Sequence, residues 1–161
     1  MDGKVVFIHP DLAEFIASPV MIVIGTRDRA NRPDIGRGIG AWTTADATGL
    51  QIIVSAWQYG GTIDNLRSNG AAALTFVRPS DYVCYQIKGR ASIGEIGPAG
   101  LALSARYIAA MSEALARLGV APEMSGVWLA SREPTLFQVT PEAVFLQTPG
   151  PGAGTALAGS P

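Results

Sequence analysis

The sequence predicts a mainly β, α+β fold in which antiparallel strands close into a barrel. Three observations carry that expectation. Apolar runs of strand length, rich in valine, isoleucine and threonine, recur through the chain before Pro98. Most links between them are short turns of Gly, Pro, Asp and Asn, which favour antiparallel neighbours. Only one long helical pattern is present, so the crossover helices of a doubly wound parallel sheet are missing.

The elements follow in order. HPDLAEFIAS reads as a short helix with Asp11 as its cap and Leu12, Phe15 and Ile16 on one face. PVMIVIGTR, Pro19 to Arg27, is the first strand, and DRANRPD turns the chain. The second strand lies within RPDIGRGIGAWTT, Arg32 to Thr44, and the third is Leu50 to Trp57. YGGTIDNLRSNG is a short helix stopped by Gly70. AAALTFV is the fourth strand, and Tyr82 to Ile96 is a long fifth with Gly89 as its bend or bulge. Pro98 opens the long helix and Gly119 stops it; Leu101, Ile108, Met111, Leu115 and Leu118 recur at helical steps as its apolar stripe. APEMSGVWLASRE is a shorter helix, and TLFQVTPEAVFLQT supplies the last strand or a pair of strand segments. The organisation is one domain over residues 1–148. The Gly/Pro-rich tail 149–161 has too little to pack, and is expected to be disordered or draped over a partner.

Composition excludes several classes of function. The chain has 161 residues, a net charge of −1 and a pI near 5.8, so no broad basic field exists for nucleic acid or an anionic membrane. No apolar run is long enough to span a bilayer, and no signal peptide is evident, which points to the cytoplasm. A single cysteine, Cys84, precludes an internal disulfide and a cysteine-rich metal site; it reads as an inert buried thiol. A single histidine, His9, leaves no His-rich metal site and suits a solvated helix entrance better than a catalytic triad. Hydrophobic residues make up 48% against 16% charged, a balance that suggests surface buried against a partner.

The stretch GRGIGAW needs a decision. Gly36, Gly38 and Ala41 match G-x-G-x-x-G/A, but a dinucleotide loop requires a strand before it and a helix after it. A polar turn precedes it, and an aromatic with two threonines follows, so it reads as a strand. Gly36, Gly38 and Gly40 then share one face with Trp42, and Arg37, Ile39, Ala41 and Thr43 share the other. A face without side chains suits a flat ligand, or equally the close packing of a helix or a second subunit.

Three pieces, VMIVIGTRDRANRPDIGRGIGAW, IIVSAWQYGGTIDNLRSNGAAALTF and YVCYQIKGRASI, together resemble the FMN-binding split-barrel proteins related to pyridoxamine 5′-phosphate oxidase. VFLQTPGPGAG looks like a tail of one uncharacterised branch of that superfamily. The resemblance implies a six-stranded antiparallel Greek-key split β-barrel with short helices and a C-terminal helical segment. It also implies a homodimer with FMN in the groove between the chains. By the same resemblance Arg37 reaches the FMN phosphate, and Gly38, Ile39, Gly40, Ala41 and Trp42 run along the flavin ring. Ser55, Ala56, Gly61 and Thr62 stand near the phosphate, and Gln86 can reach the ring from the second chain; Gln147 is a weaker match of that kind.

Two departures matter. The oxidase carries an Arg-Lys pair where this chain has Gly61 and Thr62, and no Arg-x-His lies near the end. Pyridoxamine phosphate oxidation is therefore not expected. The expected function is that of a small flavin-dependent oxidoreductase whose substrate and catalytic residues are unassigned. The alternatives are haem or a deazaflavin on the same fold, or a cofactor-free binding dimer.

Overall fold

The computed structural model describes residues 5–157. The chain runs α1 (Pro10–Ala17), β1 (Met21–Arg27), β2 (Pro33–Thr43), β3 (Leu50–Ser55), α2 (Gly60–Asn69), β4 (Ala71–Val77), β5 (Cys84–Gly94), α3 (Pro98–Arg117), α4 (Pro122–Ser125), β6 (Pro134–Leu146) and β7 (Ala156–Leu157). All strand pairs are antiparallel, in the order β3-β2-β1-β4-β5-β6-β7, and β3 also pairs with β6. That last pairing, from Leu50↔Val139 to Ser55↔Pro134, closes β1 to β6 into a barrel. Because β4 returns to lie beside β1, the barrel is a Greek key.

The local chemistry explains the joints. Gly70 ends α2 at φ 66°, a conformation suited to glycine. Between Lys88 and Gly89 the β5–β6 register shifts. A Cβ on Gly89 would stand 2.2 Å from the Thr140 carbonyl oxygen, so the bulge expected there depends on glycine. β6 is one continuous 13-residue strand, long enough to pair with β3, β5 and β7 along its length. Its alternation turns Phe137, Val139 and Val144 inward. The core is completed by Ile22 and Ile24 of β1, Ile52 to Val54 of β3, Leu74 and Phe76 of β4, Ile87 of β5 and Ile63 and Leu66 of α2.

Four expectations are corrected. The cap of α1 is His9, whose Nδ1 accepts the Asp11 N–H at 3.2 Å; Asp11 belongs to the first turn. The face that α3 buries is Gly100, Ser104, Tyr107, Met111 and Leu115, while Leu101 and Leu118 are exposed. Small residues stand at Gly100 and Ser104 because α3 packs directly onto β2 there, where a leucine would hold it off. α4 is only four residues, and the chain after it proceeds through turns. The described part of the tail, 149–157, lies back on its own chain rather than running free. Leu146 N–H donates to the Thr155 carbonyl and Gly154 N–H to that of Leu146, and β7 then pairs with Val144 and Phe145. No helix among the described residues is long and apolar enough to cross a membrane.

Candidate functional site

The two sides of β2 differ. Its glycine side points into the protein. A Cβ on Gly36 would lie 2.5 Å from the Thr62 Oγ1 of α2, and one on Gly38 would lie 2.6 Å from the Ile22 Cγ2 of β1. Past Gly38 the register with β3 shifts, and a Cβ on Gly40 would lie 3.4 Å from the Ser104 Cα of α3. The expected bare floor for a planar ligand is thus filled by the chain's own side chains and helix, the packing alternative. Trp42 joins the same packing, half-buried against Gly100.

The other side faces outward and carries Ile35 and Arg37. Cross-strand registers place Arg37 opposite Val23, Val23 opposite Thr75, Thr75 opposite Gln86 and Gln86 opposite Phe145. One row across five neighbouring strands therefore holds Arg37 at one end and Gln86 toward the other. The next row runs Ile35, Gly25, Ala73 and Lys88. Between the polar ends stand Val23 and Thr75, with Gly25 and Ala73 in the next row, and Ile35 beside them is 60% exposed. The Gln86 amide is held by donating to Thr75 Oγ1 at 3.2 Å. A groove of about 460 Å³ continues this face over Gly25, Ala71 and Ala73, rimmed by Arg27, Lys88 and Arg90.

Arg37 is half-buried, and its guanidinium lies 4.7 Å over the Trp128 ring. Cation–π stacking of this kind orients a guanidinium without neutralising it. Arg37 is within electrostatic reach of two phenols. Burial pushes Tyr59 up from its ordinary value, and the positive charge of Arg37 works against that rise. Burial raises Tyr107 strongly, again with Arg37 opposing. The Tyr107 hydroxyl donates to the Val20 carbonyl at 2.7 Å, and Ser104 Oγ donates to the Ile39 carbonyl at 2.8 Å. Together they tie α3 to the start of β1 and the far half of β2.

The residues expected near a phosphate are largely engaged already. Ser55 is fully buried; its hydroxyl donates to the Arg132 carbonyl at 2.8 Å and accepts the Arg132 N–H at 3.0 Å. Ala56 N–H donates to the Glu133 carbonyl at 3.2 Å. Thr62 is fully buried and donates to Asp34 Oδ2 at 2.9 Å. Gly61 is exposed, beside that carboxylate. Of the predicted set, Arg37 and Gln86 share the outer face, whereas Ser55 and Thr62 hold the framework. The sequence reading missed the segment from Gly126 to Glu133. Gln58 Nε2 donates to the Val127 carbonyl there, Trp128 covers Arg37, and Arg132 lies 4.5 Å over Trp57. Three tryptophans in a short chain were the available signal. Cys84 is buried, with its thiol raised by that burial, as expected of an inert group. Among the described residues no cluster of His, Cys, Asp and Glu could hold a metal.

This barrel matches known structures along most of its length. HupZ of Group A Streptococcus aligns at a TM-score of 0.58 with 19% identity, covering 92% of this chain and 100% of that one. A Lactobacillus delbrueckii protein, provisionally named a pyridoxamine 5′-phosphate oxidase, aligns at 0.55 with 14% identity over 86% and 93%. The fold is the split barrel of the pyridoxamine 5′-phosphate oxidase-like proteins. HutZ, the haem storage protein of Vibrio cholerae, shares it at a TM-score of 0.51 and 18% identity over 87% and 94%. No family model and no curated protein matches the sequence. At these identities the split barrel is shared as a fold.

Proposed function

We propose that this split barrel binds a flavin, FMN by the resemblance of its sequence, on the outer face of β2, β1, β4 and β5. The observation that carries this reading is the row from Arg37 to Gln86, a flat strip with a cation near one end and an amide toward the other. Small side chains let a planar ring approach the backbone closely, and a guanidinium suits an anionic tail. The groups present fit such a ligand in part: Arg37 and Gln86 are placed for it, while the Ser55 and Thr62 hydroxyls are committed elsewhere. A bound flavin would supply hydride or electron transfer, and the protein's part is to bind and orient it. The weakly polar outer face also suits a second copy of the chain, so the binding unit in this reading is a homodimer with the groove between protomers.

The test is the visible spectrum of the purified protein before and after FMN addition and desalting, together with fluorescence titration. Flavin absorbance that follows the protein supports the reading. Arg37→Ala then weakens FMN binding by about tenfold or more, the usual scale of one charge-assisted hydrogen bond. A protein that neither retains FMN nor quenches its fluorescence overturns it.

A second reading, haem, is favoured by the shared fold of HutZ and would give a Soret band. Its difficulty is the axial ligand. His9, the single histidine of the sequence, stands at the N-cap of α1, where its Nδ1 accepts the Asp11 N–H.

A further inference from the structure

The groove beyond the Arg37–Gln86 row gathers cations. Strand register sets Gly25 beside Ala73 and Ala73 beside Lys88, and in the row beyond it sets Ala71 beside Arg90. Arg27, two positions past Gly25, returns to the same face of the sheet. Three long cationic side chains therefore rim a floor of glycine and alanine. The hollow they enclose is about 460 Å³, inside the ~300–1,000 Å³ range of small-molecule sites.

The chain as a whole carries a net charge of −1, yet one carboxylate, Glu142, lines this groove with Arg27, Lys88 and Arg90. Arg90 takes it, donating from Nε to Oε1 at 3.3 Å and also to the Asn69 carbonyl at 3.3 Å. Among the described residues no carboxylate comes within 4.0 Å of Arg27 or Lys88. Arg27 donates to the Asp28 carbonyl at 3.5 Å, and Lys88 Nζ lies 5.2 Å over the Phe145 ring. Such contacts orient a cation and leave its charge in place. Cations held around a small-residue floor repel one another, and an anion seated among them relieves that repulsion. Carboxylates and phosphates suit guanidinium and ammonium donors best.

We propose that this groove binds a small dianion, a phosphate monoester or a dicarboxylate, as a site separate from the Arg37–Gln86 row. The anion lies over Gly25 and Ala73 between Arg27 and Lys88, with Arg90 held at the rim by Glu142. Gln86 and Lys88 share one strand face, so a molecule held here lies beside the strip proposed for the flavin and is placed as its reaction partner. That last role rests on the flavin reading; the anion site itself does not.

Isothermal titration calorimetry of the full chain with inorganic phosphate and with succinate, at constant ionic strength, tests it. Saturable binding of either anion is expected, and the tighter of the two gives the class. Lys88→Met and Arg27→Met each weaken it by about tenfold, the scale of one charge-assisted contact. Glu142→Gln frees Arg90 and tightens it. Ala73→Leu fills the floor, keeps every charge and abolishes it. Arg117→Met, on α3 and paired with Glu113, leaves it unchanged. Urea midpoints like the native one show that the variants fold. No saturable heat from either anion up to about 10 mM overturns the proposal, whatever FMN does. So does binding that survives Lys88→Met and Arg27→Met, or Ala73→Leu. Where FMN binds, phosphate still binds beside it; displacement of phosphate by FMN sinks the separate site and keeps the flavin. Phosphate binding without FMN binding removes the flavin reading and keeps the groove.

Discussion

On its inner side β2 sets Gly36 and Gly38 against Thr62 and Ile22, and past the register shift it sets Gly40 against Ser104 of α3, at distances a Cβ would violate or crowd. On its outer side it sets Ile35 and Arg37, the first largely exposed and the second stacked on Trp128. The inner side has no spare volume and few spare hydrogen-bonding groups. The outer side has a guanidinium that meets no carboxylate among the described residues, beside Val23 and Thr75 and next to the row of Gly25 and Ala73. Glycine in this strand thus serves the approach of α2 and α3, and that approach frees the outer side to carry chemistry.

Three substitutions sharpen or break this contrast. The largest effect is expected at Gly38. Its Cβ would sit 2.6 Å from Ile22 Cγ2 and 2.9 Å from Ile22 Cβ, so relief requires movement of β1 itself. Gly38→Val should lower stability by about 3 kcal/mol, the upper range for overpacking, read by urea unfolding. An unfolding midpoint like that of the native protein would show that the inner side is open after all. Next is Ser104→Ala, which leaves the Ile39 carbonyl without its buried donor. A loss of about 1–2 kcal/mol is expected, seen as a fall in Tm with no effect on flavin titration. If flavin binding changed and Tm did not, Ser104 would belong to the ligand's side. The smallest effect is expected at Ile35, 60% exposed on the outer side. Ile35→Ser should stay within about 0.5 kcal/mol of the native value in dilute solution. A loss that grows with protein concentration would place a second copy on this face.

Much of the barrel was legible in the sequence, and for a clear reason. Period-two runs, Gly70 and Gly119 as helix stops and Gly89 as a bulge are local signals, and local sterics enforce them. The strand assignment of GRGIGAW held on the same ground. Its ligand-facing side did not: the register shift past Gly38 turns Ile39, expected beside Arg37 on the ligand's face, into the core, and alternation says nothing of what stands opposite. The α3 stripe held in part: Met111 and Leu115 are buried as periodicity expects, but Leu101 and Leu118 are exposed and contact with β2 selected Gly100 and Ser104 for their size.

The hydroxyls of Ser55 and Thr62 show where the sequence stops. Each residue type fits a phosphate contact as well as an internal one. The choice was made by partners 77 positions away for Ser55 and 28 away for Thr62. By itself the sequence determined the β-rich class, the order of strands, the turns and the presence of Arg37 on a strand. The tertiary structure decided which side of that strand is buried, which polar groups are spent on the framework, and that Asp34 stands at the start of α2. Local rules depend on neighbours along the chain, whereas burial and hydrogen-bond partnership depend on residues that only folding brings together.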